Sequence, residues 1–129
     1  MQAYTVASVA LLAVAVAACG GGTTVPTVTI TANGVEPKTI EITAGQQVRF
    51  VNNDSTTREM LSTPHLAHTD CPAINAVGVL SPGSNKMTEG MTTVRICGFH
   101  DHRNPDDNRF RGQINVGTSQ GPPPGYIRP

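Results

Sequence analysis

Four histidines and three cysteines are concentrated in a few short stretches of this chain. His65 and His68 lie in Pro64-His65-Leu66-Ala67-His68-Thr69-Asp70-Cys71, and His100 and His102 follow Cys97 in Cys97-Gly98-Phe99-His100-Asp101-His102. Imidazole together with thiolate selects copper or zinc: thiolate is soft and holds Cu(I) or Zn, imidazole suits both, and a hard-ion site would be built from carboxylates instead. Cys97 ends the stretch Thr92-Thr93-Val94-Arg95-Ile96-Cys97, which reads as a strand, and His100, three residues on in the following loop, would fold onto the same ion. Two histidines from the earlier segment, His65 and His68, would complete the set. Taken singly, each histidine also reads as a solvated loop residue, His102 most of all between Asp101 and Arg103. Cys97 and His100 have the residue types of a nucleophile and its base. No hydrolase motif surrounds them, however, and Asp101, Asp106 and Asp107 fall in one hydrophilic loop, so no enzymatic activity is expected.

The elements that must position these residues are short strands. TVTIT at 27–31 alternates polar and apolar residues with period two and ends at the turn dipeptide Asn33-Gly34. Residues 38–42 repeat the alternation, Ala44-Gly45 punctuates it, and residues 47–52 give a third strand. Residues 76–80, 92–97 and 112–116 supply three more, and no stretch beyond residue 18 shows apolar residues at helical spacing over three turns. Short strands separated by turn signals predict an all-β domain, a small antiparallel sandwich or barrel. Between the third strand and Ala76 lies a long polar segment that reads as a functional loop, and it carries His65 and His68.

The composition sets the scale and the exclusions. The chain has 129 residues, 38% hydrophobic, with 13 Gly, 10 Pro and no Trp, which allows one small domain with a core of Val, Ile, Leu and Met. Nine basic side chains balance nine acidic ones, so the cationic surface that phosphate binding needs is missing and no nucleic-acid partner is expected.

The amino end reads as an export signal. Residues 5–18, TVASVALLAVAVAA, form an uncharged apolar run too short to span a bilayer comfortably. It closes on Val16-Ala17-Ala18-Cys19, which resembles the bacterial lipobox, although the preceding MQAY carries no Lys or Arg. The expected organisation is a lipoprotein-type signal peptide at 1–18, a lipidated Cys19 with a flexible tether at 19–24, a folded domain at 25–117 and a disordered tail at 118–129. Cleavage after Ala18 as an ordinary secretory signal is the alternative. A lipid-anchored monomer in the extracytoplasmic, oxidising cell envelope follows from this organisation.

The stretch AGQQVRFVNND, the Pro82-Gly83-Ser84 turn and CGFHDH running into the last strand together resemble the cupredoxin family, the plastocyanin-like blue copper domains. The resemblance spans nearly all of the folded part and implies, of the two architectures, the small antiparallel Greek-key β-sandwich. It implies a mononuclear copper site with Cys97 as thiolate and His100 as an imidazole ligand, a rigid sheet around them, and one-electron transfer to a redox partner protein. Three features depart from the family pattern. Arg58 stands where the family's first histidine is commonly found, and a guanidinium cannot ligate, which shifts that role to His65 or His68. No Met follows His100 closely, which leaves His102, Met60 or Met91 for the axial position. Cys71 has no place in a blue copper site and could instead pair with Cys97. A Cys71–Cys97 disulfide would abolish the thiolate ligand and leave an all-histidine site built from His65, His68, His100 and His102. Two other functions stay open: copper capture or delivery without a redox partner, and a metal-free, disulfide-stapled accessory or adhesion module.

Overall fold

Alternation of β-branched and polar residues produces most of the strands in a computed structural model that describes Gly22 and residues 24–117. The signal segment, Cys19 and the tail at 118–129 lie outside the described residues. In chain order the strands are β1 (Thr27–Thr31), β2 (Gly34–Glu36), β3 (Thr39–Thr43), β4 (Arg49–Asn52), β5 (Arg58–Ser62), β6 (Gly78–Leu80), β7 (Asn85–Met87), β8 (Arg95–Asp101) and β9 (Arg111–Gly117). Short 3-10 turns at Pro72–Ala76 and Asn108–Phe110 precede β6 and β9. Among the described residues no helix is long and apolar enough to cross a membrane.

The strands form a two-sheet sandwich, one sheet ordered β2-β1-β4-β7 and the other β3-β9-β8-β5-β6. It is not antiparallel throughout, because β1 pairs with β4 and β3 with β9 in parallel. Such pairs arise when the chain crosses to the opposite sheet and returns in its former direction. Inward residues close the core: Val28 and Ile30 from β1, Phe50 from β4, Met60 from β5, Cys97 and Phe99 from β8, and Ile114 and Val116 from β9. Burying each large apolar side chain contributes about 1.5–3 kcal/mol. Phe50 and Phe99 meet edge to face between the sheets at 5.0 Å. Gly112, opposite Phe99 across the β8–β9 ladder, makes room for that ring: a Cβ there would stand 2.4 Å from Phe99 Cζ.

Two local expectations need correction. The segment between β4 and Ala76 is not one loop, because β5 runs through it. Its inward positions are Arg58, Met60 and Ser62, so the buried face is mostly polar and leaves no apolar alternation to read. The late strand also begins and ends further along than residues 92–97, which places His100 within β8 and not in the loop beyond it.

The polar inward face of β5 is satisfied. Arg58 donates to Asp54 Oδ2 at 2.6 Å and 3.0 Å and to Asp101 Oδ2 at 3.0 Å, while its guanidinium lies 3.7 Å from the centre of the Phe110 ring. Burial alone would lower the Arg58 pKa, but the two carboxylates outweigh it and raise it. The position that the family pattern would give to a ligand therefore holds a structural cation. It ties the turn before β5 to the end of β8.

Candidate metal centre

His100 is placed by the register of β8. Period two sends Cys97, Phe99 and Asp101 to the inner face and Gly98 and His100 to the outer one. The pairing of Leu61 with His100 and of Ser62 with Phe99 fixes that register, since a one-residue slip would expose Phe99. Asp101 then anchors the turn that carries His102. Its carboxylate accepts the Glu59 and Arg103 backbone N–H groups, each at 3.1 Å, along with Arg58 Nη1 and Asn104 Nδ2. Burial pushes the Asp101 carboxyl up, and these hydrogen bonds more than reverse it, leaving the pKa lowered. The His102 backbone N–H donates to Glu59 O at 2.7 Å, fixing the residue beside the end of β5.

His65 and His68 come from the loop after β5, which is closed at its neck. Asp70 N–H donates to Thr63 O, Thr63 Oγ1 meets Asp70 Oδ2 at 3.0 Å, and Thr63 N–H donates to Gly98 O on β8. Leu66 and His68 have positive φ, 72° and 51°, so the loop doubles back over itself. His68 is held twice: its backbone carbonyl accepts from Asn75 Nδ2 at 2.9 Å, and its Nδ1 lies 2.8 Å from Ser62 O. With Nδ1–H donated to that carbonyl, Nε2 carries the lone pair.

The loop and the end of β8 bring four imidazoles together. Their ligand atoms, from His65, His68, His100 and His102, all lie within 4.8 Å of one another. His65 Nδ1 and His100 Nε2 are 3.4 Å apart, and the His68 and His100 rings stack at 5.2 Å. His68 Nε2 and His102 Nδ1 are buried without a hydrogen-bond partner in the protein, an arrangement that costs free energy unless something supplies the missing interaction. With metal–nitrogen bonds of about 2.0–2.1 Å, two ligand atoms on one ion can be at most about 4.2 Å apart, so a small contraction would close the four onto one ion. Burial lowers the His100 pKa to about 4, with the positive charges of His68, His65, His102 and Arg111 adding to the effect. The ring is thus neutral at physiological pH, the form that ligates.

Of the residues expected to bind metal, the four histidines converge and Cys97 does not. Cys97 forms a disulfide with Cys71, with Cα atoms 5.7 Å apart. Its side chain lies on the face of β8 opposite His100, within the core. Ligation by a Cys97 thiolate is therefore ruled out for this form of the protein on two grounds, the absent thiol and the wrong face. The disulfide likewise removes the Cys97–His100 nucleophile pair. Met60 and Met91 are core residues, and Met60 faces inward from β5, away from the imidazoles. Cys19 lies outside the described residues. Ser62, Asn75 and Asp101 hold the backbone or ring of the histidine-bearing segments, and of these only Asp101, between two candidate ligands, carries any signal in the sequence.

No protein-family model matches the chain, and no curated protein matches it either. Solved structures do. A purple cupredoxin from Nitrosopumilus maritimus superposes with a TM-score of 0.56 at 18% identity, covering 71% of this chain and 99% of the other. Oxidised plastocyanin from Dryopteris crassirhizoma gives 0.55 at 18% identity, covering 70% and 98%. An amicyanin variant in the Cu(I) state gives 0.56 at 14% identity, covering 71% and 81%. The chain has the cupredoxin fold.

Proposed function

We propose that this protein binds one copper ion through the imidazoles of His65, His68, His100 and His102, and that it captures and delivers copper outside the cytoplasm. The observation that carries the reading is the convergence of four ligand atoms within 4.8 Å, two of them buried without a partner. Imidazole suits several divalent ions, and among first-row metals a nitrogen site favours Cu(II). The fold shared with amicyanin and plastocyanin supports copper over zinc. The buried disulfide supports an oxidising compartment. Anchoring through a lipidated Cys19 would keep the monomeric domain at a membrane surface. When bound, copper supplies a cation that can be handed to a ligand on another molecule. His65, exposed on the loop, is the imidazole best placed to yield first.

Equilibrium dialysis against Cu(II) and Zn(II) tests this. One ion per chain, held more tightly for Cu(II), is expected, with a loss above about 100-fold in His68→Ala and His102→Ala, since removing even a supporting residue commonly costs 10–100-fold. No bound ion, or binding unchanged in both variants, sinks the reading.

One-electron transfer at the same ion is a second reading. It is favoured by the placement of His100 on a strand paired on both sides, which limits how far that ligand moves between Cu(II) and Cu(I). A reversible Cu(II)/Cu(I) wave for the copper-loaded protein supports it, and irreversible reduction with loss of the ion counts against it.

A further inference from the structure

The Cys71–Cys97 disulfide occupies a particular place relative to the four histidines. Cys71 follows His68 by three residues, and Cys97 precedes His100 by three. Through the disulfide, six residues separate these two imidazoles: Thr69, Asp70, Cys71, Cys97, Gly98 and Phe99. Along the chain alone the separation is residues 69–99, which is 31. The sulfur bridge is therefore a short covalent link between the ligand loop and the ligand strand, buried on the inner side of the sheet while the imidazoles stand on the outer side.

The other ties across this junction are weaker or belong to a single arm. Thr63, on the arm leaving β5, donates its N–H to Gly98 O and packs its side chain over Gly98. The returning arm has the Cys71 N–H donated to Ser62 Oγ at 2.8 Å, the His68 Nδ1–Ser62 O contact at 2.8 Å and the bond from Asn75 to His68 O. All three reach β5 or the turn after the loop. Among the described residues, the covalent tie from the returning arm to β8 is the disulfide, beside the stacking of the His68 ring on His100.

We infer that the Cys71–Cys97 disulfide sets the metal affinity of the four-histidine centre, so that the oxidised protein holds its ion and the reduced protein releases it more readily. The inference rests on the proposed metal centre. Reduction takes two electrons and two protons from a thiol reductant. Two thiols of the reductant join as one disulfide, the Cys71–Cys97 bond breaks, and each sulfur leaves as Sγ–H. The freed Cys97 thiol does not replace a lost ligand, because it points into the core. The probability of closing a flexible path falls as the three-halves power of its length, so lengthening the path from six to 31 residues weakens binding by at most about tenfold, the ordered strands within those 31 residues reducing the loss.

The test uses the full chain carrying Cys19→Ser, so that residues 71 and 97 supply its cysteines. Co(II) is the probe, because its absorption distinguishes nitrogen from thiolate ligation. Its affinity is measured for the oxidised protein, the protein reduced with a phosphine, and Cys71→Ser/Cys97→Ser, each checked for retained β-sheet circular dichroism. Expected are histidine-only Co(II) spectra throughout and binding weaker by up to about tenfold in the reduced and doubly substituted forms. Equal affinities in folded proteins overturn the inference, as does a thiolate-to-cobalt band in the reduced form. If the doubly substituted form loses its fold, Cys71→Ala/Cys97→Val, which fills the core with apolar side chains and carries no bridge, replaces it with the same expected loss, and an affinity equal to that of the oxidised protein overturns the inference. Failure of the oxidised protein to bind Co(II) at all removes the metal centre itself and is thereby distinguished from failure of the coupling.

Discussion

Cys97 and His100 stand three residues apart on β8 and on opposite faces of the sheet: the sulfur is in the core, bonded to Cys71, and the imidazole is outside, 3.4 Å from His65 Nδ1. An odd spacing on a strand separates what the same spacing in a loop could bring together. The extension of β8 through His100 thus leaves the candidate site with imidazoles and no thiolate. The Phe50–Phe99 contact within the core is, in this sense, part of the support of the proposed metal site.

Gly98 shares the outer face with His100 and lies under the neck of the ligand loop. A Cβ at this position would stand 2.7 Å from Thr63 Oγ1 and 2.9 Å from Thr63 Cγ2. Gly98→Ala should lift the neck, leave the core packing intact, and weaken Cu(II) binding by about 10–100-fold, the usual effect of disturbing the support of a metal ligand. Isothermal titration alongside a urea melt checks this. Unchanged affinity would show that the neck does not position His65 and His68.

Arg58 is the buried cation between Asp54 and Asp101. Arg58→Met keeps much of the side-chain volume and the contact with Phe110 but leaves Asp101 buried without its guanidinium. Breaking a buried pair from one side costs about 3–5 kcal/mol. Denaturant unfolding at neutral pH should show a loss of this size, and a loss below about 1 kcal/mol would mean that Asp101 is satisfied by Asn104 and the backbone alone.

The pH dependence of the metal-free protein follows from His100. Its folded pKa, about 4, lies below the unfolded value of about 6.5. Between these values the unfolded state binds more protons, so this residue makes stability rise with pH. Its contribution is fully present above about pH 6.5 and is lost as the pH falls toward 4. The total change is about 3 kcal/mol at 1.36 kcal/mol per pKa unit. Urea midpoints measured from pH 4.5 to 7.5 should climb and then level off, and the climb should flatten in His100→Gln. An equally steep climb in that variant would assign it to other groups.

Much of this arrangement is written plainly in the chain. The alternating stretches around β1, β3, β4 and β9 bury Val, Ile and Phe on one face, and hydrophobic period reports such faces directly. β5 was hidden because Arg58 and Ser62 point inward and are satisfied only by partners distant in sequence, such as Asp101. β2 and β7, with three residues each, are too short to show a period. The four histidines stand out as one group from type and spacing, and the fold brings them together. Whether Cys97 joined them was open, because that depended on where β8 ends and on how near Cys71 lies, and both are set by tertiary packing. The same packing hid Asn75 and Ser62, whose hydrogen bonds to the ligand loop carry no local sequence mark.

The central claim is an all-imidazole copper centre on a cupredoxin fold, and its most direct test is spectroscopic. The oxidised full chain carrying Cys19→Ser is loaded with one equivalent of Cu(II), and its visible and electron paramagnetic resonance spectra are recorded beside a free-thiol count. The account predicts no titratable thiol, weak visible absorption, and a resonance split by several equivalent nitrogens that loses splitting in His100→Ala. An intense thiolate-to-copper charge-transfer band with free thiols in the metal-free protein would contradict it, and would return Cys97 to the metal.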